Sequence, residues 1–109
     1  MVQATLTALA DDTRRSVVDL LRHEPRRASD LAAELSITPQ AMSRHLRVLR
    51  KSGVIREEGI EEDARVRMYQ LCPEPFRELR GWLDEVESYW VTELDAFREH
   101  VEKRRGKRG

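Results

Sequence analysis

Residues 38–55 read TPQAMSRHLRVLRKSGVI, and the architecture follows from this stretch. Thr38 offers a hydroxyl that can accept from an N–H of a first helical turn, and Pro39 stands at the first helical position, where its missing N–H is no loss. Gly53 supplies the stop. The spacing predicts a helix from Pro39 to about Ser52. Ala41, Met42, Leu46 and Leu49 fall on its inner side, while Gln40, Ser43, Arg44, Arg47 and Lys51 follow one another at i, i+3, i+4, i+7 and i+11 on the other. That outer side is polar and basic. From Ile37 to Arg56 there are five basic residues and no acid, in a chain of 109 residues whose 20 lysines and arginines balance 20 acids. A local excess of this kind is the electrostatic footprint of a nucleic-acid-binding face. Gln and Arg side chains suit bidentate contacts to base edges, and Ser, Lys and Arg suit phosphates.

Toward the N-terminus, only Ser36, Ile37 and Thr38 separate this helix from a short one predicted over Ser29 to Leu35, with Leu31, Ala32 and Leu35 inward. Such a connection is that of a helix-turn-helix. A preceding helix starts at the candidate caps Asp11, Asp12 and Thr13 and runs to about His23, carrying the stripe Val17, Val18, Leu20 and Leu21. Pro25 ends it by pushing Glu24 out of the helical region. Residues 2–10 place Val2, Leu6 and Leu9 at helical spacing. Toward the C-terminus, Val54 to Glu58 and Arg65 to Leu71 are extended runs joined by residues 59–64, which predicts a hairpin. Beyond Pro73 and Pro75 a long helical pattern covers about Phe76 to Lys103. The fold class is therefore mainly α with a small β-hairpin.

The stretch above, preceded by ASDLAAEL at residues 28–35 and by LADDTRRSVVDLL at residues 9–21, resembles the winged helix-turn-helix of ArsR/SmtB-type bacterial repressors. The resemblance spans roughly residues 4–97. It implies a homodimer, joined through its N- and C-terminal helices, that sets two recognition helices into successive major grooves of a pseudopalindromic operator on double-stranded DNA. By position it assigns Gln40, Ser43 and Arg44 to DNA contact, with His45 and Arg47 at the margin. His45 lies between the two faces, so packing against the second helix and a bond to a backbone carbonyl stay open beside DNA contact. The implied organisation is one domain over residues 1–103, with a DNA-binding core at 4–72, a dimerisation helix at 74–103 and a basic tail at 104–109.

The wing departs from the family's basic pattern. Residues 57–63 read EEGIEED, five acids in seven positions, and acids within a Debye length of phosphates are repelled. Arg56, Arg65 and Arg67 flank this tip. Neutralisation of the acids is expected, while phosphate contact by the arginines stays open. Tyr69 and Leu71 are expected in the core.

In the last helix Phe76, Leu79, Leu83, Val86, Trp90, Leu94, Phe97 and Val101 recur at spacings of 3 and 4, close to a heptad seam, with Trp82 and Tyr89 beside it. At ~1.5 Å per residue this helix would extend about 42 Å, more than a small domain can cover. A second copy is the expected cover, with Leu6, Leu79, Leu83, Val86, Trp90, Leu94 and Phe97 at the interface. Glu74 to Glu102 holds nine acids and three arginines, so this helix is expected to keep away from DNA. The basic tail suits either phosphates or plain solvation.

Other classes find less support. The single cysteine, Cys72, excludes an intramolecular disulfide and points to an intracellular protein; it reads as a small buried hydrophobe or a thiol switch between subunits. No stretch approaches the 18 or so apolar residues of a membrane span, and a cytoplasmic location is expected. Residues 29–36 lack cysteine and His100 is the one histidine of the last helix, so neither family metal site assembles and a metal-responsive repressor is the weaker reading. No cofactor motif and no catalytic constellation appears, and an enzyme is not expected. A small apolar effector at the dimer seam and no effector at all are both compatible with the chain. The rival to a DNA reader is a winged helix that uses its basic face for protein contact.

Overall fold

The computed structural model describes residues 2–60 and 63–106 and runs α1 (Val2–Leu9), α2 (Asp12–Leu21), α3 (Ala28–Glu34), α4 (Pro39–Lys51), β1 (Ile55–Ile60), β2 (Asp63–Leu71) and α5 (Pro73–Gly106). Contacts divide the chain into two units, Met1–Leu79 and Arg80–Gly109.

Both ends of α4 are fixed by local chemistry. At its start the Ala41 N–H donates to the Thr38 hydroxyl at 3.1 Å, with Pro39 in the first turn. At its end Gly53 adopts φ +81°, a left-handed conformation that costs glycine nothing. The chain then doubles back on the helix: Gly53 N–H donates to the Arg50 carbonyl at 3.0 Å and Val54 N–H to the Leu49 carbonyl at 3.1 Å, the paired bonds of a Schellman cap. Leu49 and Val54, which meet across that cap, are both fully buried.

The turn between α3 and α4 uses the same device without a glycine. Ser36 takes φ +54°, Ser36 N–H donates to the Ala33 carbonyl at 3.2 Å and Ile37 N–H to the Ala32 carbonyl at 3.1 Å. The expected three-residue connection is thus a second Schellman cap running straight into the Thr38 N-cap.

α1 ends without a glycine, and arginines of the next helix take its last carbonyls. Arg14 Nε donates to the Ala8 carbonyl at 2.6 Å, and Arg15 Nη1 to the Leu9 carbonyl at 2.7 Å. These acceptors have no partner inside their own helix and lie at the negative end of its dipole, which favours cations there. The helix turns Thr5 and Ala8 inward and leaves Leu6 exposed, while Val2 and Leu9 are half-buried, so this unit covers the apolar spacing of Val2, Leu6 and Leu9 only in part.

Val17 and Leu21 of α2, Leu31 and Ala32 of α3, Met42, Leu46 and Leu49 of α4, and Val54 and Ile55 form one buried cluster. Burial of each larger side chain contributes about 1.5–3 kcal/mol. Tyr69, Leu71 and Phe76 are half-buried against it, in keeping with the core role expected of the first two. The hairpin is antiparallel, pairing Ile55 with Leu71, Glu57 with Tyr69 and Gly59 with Arg67, with a register shift between Gly59 and Ile60. A bridge absent from the sequence reading joins the far edge of β2: Arg26 N–H donates to the Tyr69 carbonyl at 3.1 Å and Tyr69 N–H to the Arg26 carbonyl at 2.8 Å.

Several boundaries differ from expectation. α2 stops at Leu21, two residues before His23, as its last turn tightens into the bond from His23 N–H to the Leu20 carbonyl. Both strands reach further toward the hairpin tip than expected, β1 to Ile60 and β2 from Asp63. α5 starts at Pro73 instead of Phe76; both prolines fall in its first turn, where a missing N–H is tolerated. At its other end α5 runs to Gly106, so Arg104 is helical; Lys107 and Arg108 lie outside the described residues.

In the second unit, taken by itself, α5 presents Trp82, Leu83, Val86, Tyr89, Trp90, Val91, Leu94 and Phe97 exposed, Trp90 at 61% and Phe97 at 66%. No helix of the described residues is long and apolar enough to cross a membrane.

Candidate nucleic-acid interface

Helical periodicity sorts α4 into two faces. Met42, Leu46 and Leu49 are buried, and they anchor the helix in the core. Gln40, Ser43, Arg44, Arg47 and Lys51 are all exposed on the opposite face. Five of the six residues singled out for DNA contact therefore share one accessible surface, held at both ends by the caps of Thr38 and Gly53.

The sixth, His45, is half-buried between the faces. Arg14 Nη1 lies 3.4 Å from its Nδ1, and Asp11 Oδ1 lies 3.9 Å from the same nitrogen. Of the alternatives open in the sequence, the structure places this ring against the start of α2. Asp11 occupies the N-cap position there, yet its side chain makes no capping bond. Its carboxylate stands beside His45 instead, and Arg14, which already holds the end of α1, completes a polar link from α1 through α2 to α4.

At the other end of α4, Arg50 Nη1 reaches Glu57 Oε2 at 3.0 Å, and Arg67 Nε reaches Glu57 Oε1 at 3.4 Å. Glu57 is well covered, with 17% of its side chain exposed. The register explains why: residues 55, 57 and 59 of β1 share a face with 71, 69 and 67 of β2, so Glu57 points the same way as core residue Ile55. Tyr69 stands opposite Glu57 and its hydroxyl bonds Arg50; burial, then the Glu57 charge, push the Tyr69 phenol above its ordinary value of 10.0. The sequence reading pooled Glu57 with the tip acids and counted Arg50 only among the five cations of the basic stretch. Strand alternation from Ile55 was the available signal for the first, though nothing local names its partners.

Arg56 and Glu58 pair at 3.6 Å on the outer side, where both are exposed. Glu57 and Glu58 are thus both paired, with Arg50, Arg67 and Arg56 as their cations. Glu61 and Glu62 lie outside the described residues, as does the side chain of Arg65. Cys72 is a half-buried free thiol whose N–H donates to the Val54 carbonyl at 2.9 Å. Among the described residues no three His, Cys, Asp or Glu side chains gather as a metal site.

Comparison with known proteins agrees with this geometry. Residues 9–58 match the model of a helix-turn-helix domain family. Over 97 residues the chain is 34% identical to the HTH-type transcriptional regulator Rv2034 of Mycobacterium tuberculosis, covering 87% of this chain and 83% of that protein. It is 36% identical over 50 residues to the transcriptional repressor SdpR of Bacillus subtilis, covering 46% of this chain and 56% of that protein. An ArsR-like transcriptional regulator from Rhodococcus sp. RHA1 has the same fold, with a TM-score of 0.83 at 22% identity, covering 94% of this chain and 91% of that one. The crystal structure of the ArsR family transcriptional regulator RHA00566 gives a TM-score of 0.74 at 32% identity, covering 82% of this chain and 94% of that one. With a helix-turn-helix packed on its inner face, a two-stranded wing and this degree of likeness over most of its length, the chain belongs to the ArsR-type winged helix-turn-helix family of transcriptional regulators.

Proposed function

We propose that this chain is a sequence-specific repressor that binds a pseudopalindromic operator as a homodimer, acts in the cytoplasm and occludes a promoter. The observation that carries the reading is the outer face of α4: Gln40, Ser43, Arg44, Arg47 and Lys51 are exposed together on one rigid, doubly capped helix that bears no acid. Gln40 and Arg44 read base edges, Ser43 and Arg47 work beside them, and Lys51 holds phosphate. His45 braces the helix against α2. The wing tip, with its acids, takes no part in reading.

Dimerisation is proposed through α5 and α1. The support is an uncovered apolar stripe, Leu83, Val86, Trp90, Leu94 and Phe97, together with Leu6 on α1. Exposed apolar surface of this extent marks an interface. Leu79 is half-buried in the first unit and borders this stripe in sequence. The reading includes no metal and no enzymatic step.

The test is anisotropy titration of the whole protein against the DNA upstream of its own gene and against a scrambled duplex, across a salt series. Tight binding to the first, weaker binding to the second and a negative log–log salt slope are expected. Equal, weak binding to both, with no preferred site in a selection from random DNA, would favour a protein-docking role for the same face.

A further inference from the structure

The first unit spends one of its best-placed acids on two of its cations, and the geometry of that arrangement has a use. Glu57 sits on the inner face of β1, 17% exposed, and receives Arg50 from the last turn of α4 and Arg67 from β2, at 3.0 and 3.4 Å. Neither guanidinium is buried: 54% of the Arg50 side chain and 58% of the Arg67 side chain remain exposed. What holds them is charge-assisted hydrogen bonding to one carboxylate, not enclosure.

We propose that Glu57 sets specificity by withholding Arg50 and Arg67 from DNA phosphates. The proposal rests on the reading of α4 as the DNA-contacting helix. Phosphate contacts by cations strengthen binding to every sequence alike, whereas specificity is a ratio between one site and all others. A helix that already offers Arg44, Arg47 and Lys51 gains little discrimination from two further cations and loses ratio to random duplex. Satisfying both arginines from the strand behind them keeps them at the surface while directing their donors inward. Tyr69, whose hydroxyl bonds Arg50 from the paired position on β2, adds a neutral contact to the same guanidinium.

The measurement is the slope of log affinity against log salt for a random-sequence duplex, with the full chain. Glu57→Gln keeps the shape of the side chain and removes its charge; its slope should steepen by about 1 to 2, one for each arginine released. Adding Arg50→Gln and Arg67→Gln to that variant should return the slope to the wild-type value, which mere relief of repulsion by a lost acid would not do. In the otherwise native chain, Arg50→Gln and Arg67→Gln should leave the slope unchanged, and these exposed sites also carry the test if Glu57→Gln does not fold. An unchanged slope in folded Glu57→Gln, or a slope flattened by about 1 in Arg50→Gln alone, overturns the proposal. If the wild-type protein shows no salt-dependent DNA binding, the reading of α4 fails first; if wild type binds and only the variant slopes disagree, this proposal fails by itself.

Discussion

The Val54 N–H donates to the Leu49 carbonyl at 3.1 Å across Gly53, and the two side chains are fully buried where α4 turns into the wing. The angle between α4 and β1 therefore depends on one residue at φ +81°. A β-carbon there would find only Pro75 Cγ, at 3.9 Å, an ordinary contact. Gly53→Ala should thus lose stability through backbone strain without a clash, by about 1 kcal/mol. Denaturant melts should show a lower midpoint with an unchanged slope. A loss several times larger would mean that the space around Gly53 is tighter than the structure has it.

The reading face makes a sharper claim. Arg44→Ala or Gln40→Ala should weaken operator binding by about 1–3 kcal/mol and relax base preference, while Lys51→Ala should weaken operator and random duplex alike and flatten the salt slope by about 1. Titrations of each variant against both duplexes separate the two effects. Normal operator binding by Arg44→Ala would put the reading surface elsewhere.

Trp90 is 61% exposed, so replacing it leaves no cavity in the single chain. Trp90→Glu should convert dimers to monomers in sedimentation at protein concentrations where the wild type is dimeric, because a charge buried at an apolar seam goes unpaired. A variant that stays dimeric would move the interface off this stripe.

Tyr69 gives a pH dependence whose sign is fixed. Its phenol ionises above its ordinary value in the folded chain, because burial and the Glu57 carboxylate disfavour the phenolate. The folded state thus holds this proton more tightly than the unfolded one. The contribution to stability is fully present below pH 10.0 and is lost as pH rises through the folded value. Melts of wild type and Tyr69→Phe should converge in the alkaline range and differ in slope above that pH; parallel curves throughout would remove Tyr69 from the account.

What could be read in the sequence was what neighbouring residues decide among themselves. Thr38, Pro39 and Gly53 fix α4 from within a few positions, and the structure returns that helix to within one residue of its expected end. The hairpin and the long last helix were legible for the same reason, from period 2 and period 3.6. Other features depend on partners distant in the chain. Asp11 looks like a helix cap and faces His45; Glu57 looks like one acid among five and holds two arginines; Arg26 has no strand pattern and yet bridges Tyr69. In α1 the larger residue, Leu6, stays outside while Thr5 and Ala8 go in. Period alone cannot tell a face covered by the same chain from one awaiting another.

The bridge between Arg26 and Tyr69 bears on how the wing comes apart. Tyr69 turns its own N–H and carbonyl to Arg26, in the segment before α3, while its register partner on β1 is Glu57. Freeing the Tyr69 amide requires the loop ahead of the helix-turn-helix to lift away, so its proton should exchange with solvent on the slow schedule of α3 and α4, not with the outer rungs of the hairpin. Such protection would join the root of the wing to α3 and α4 in one opening event.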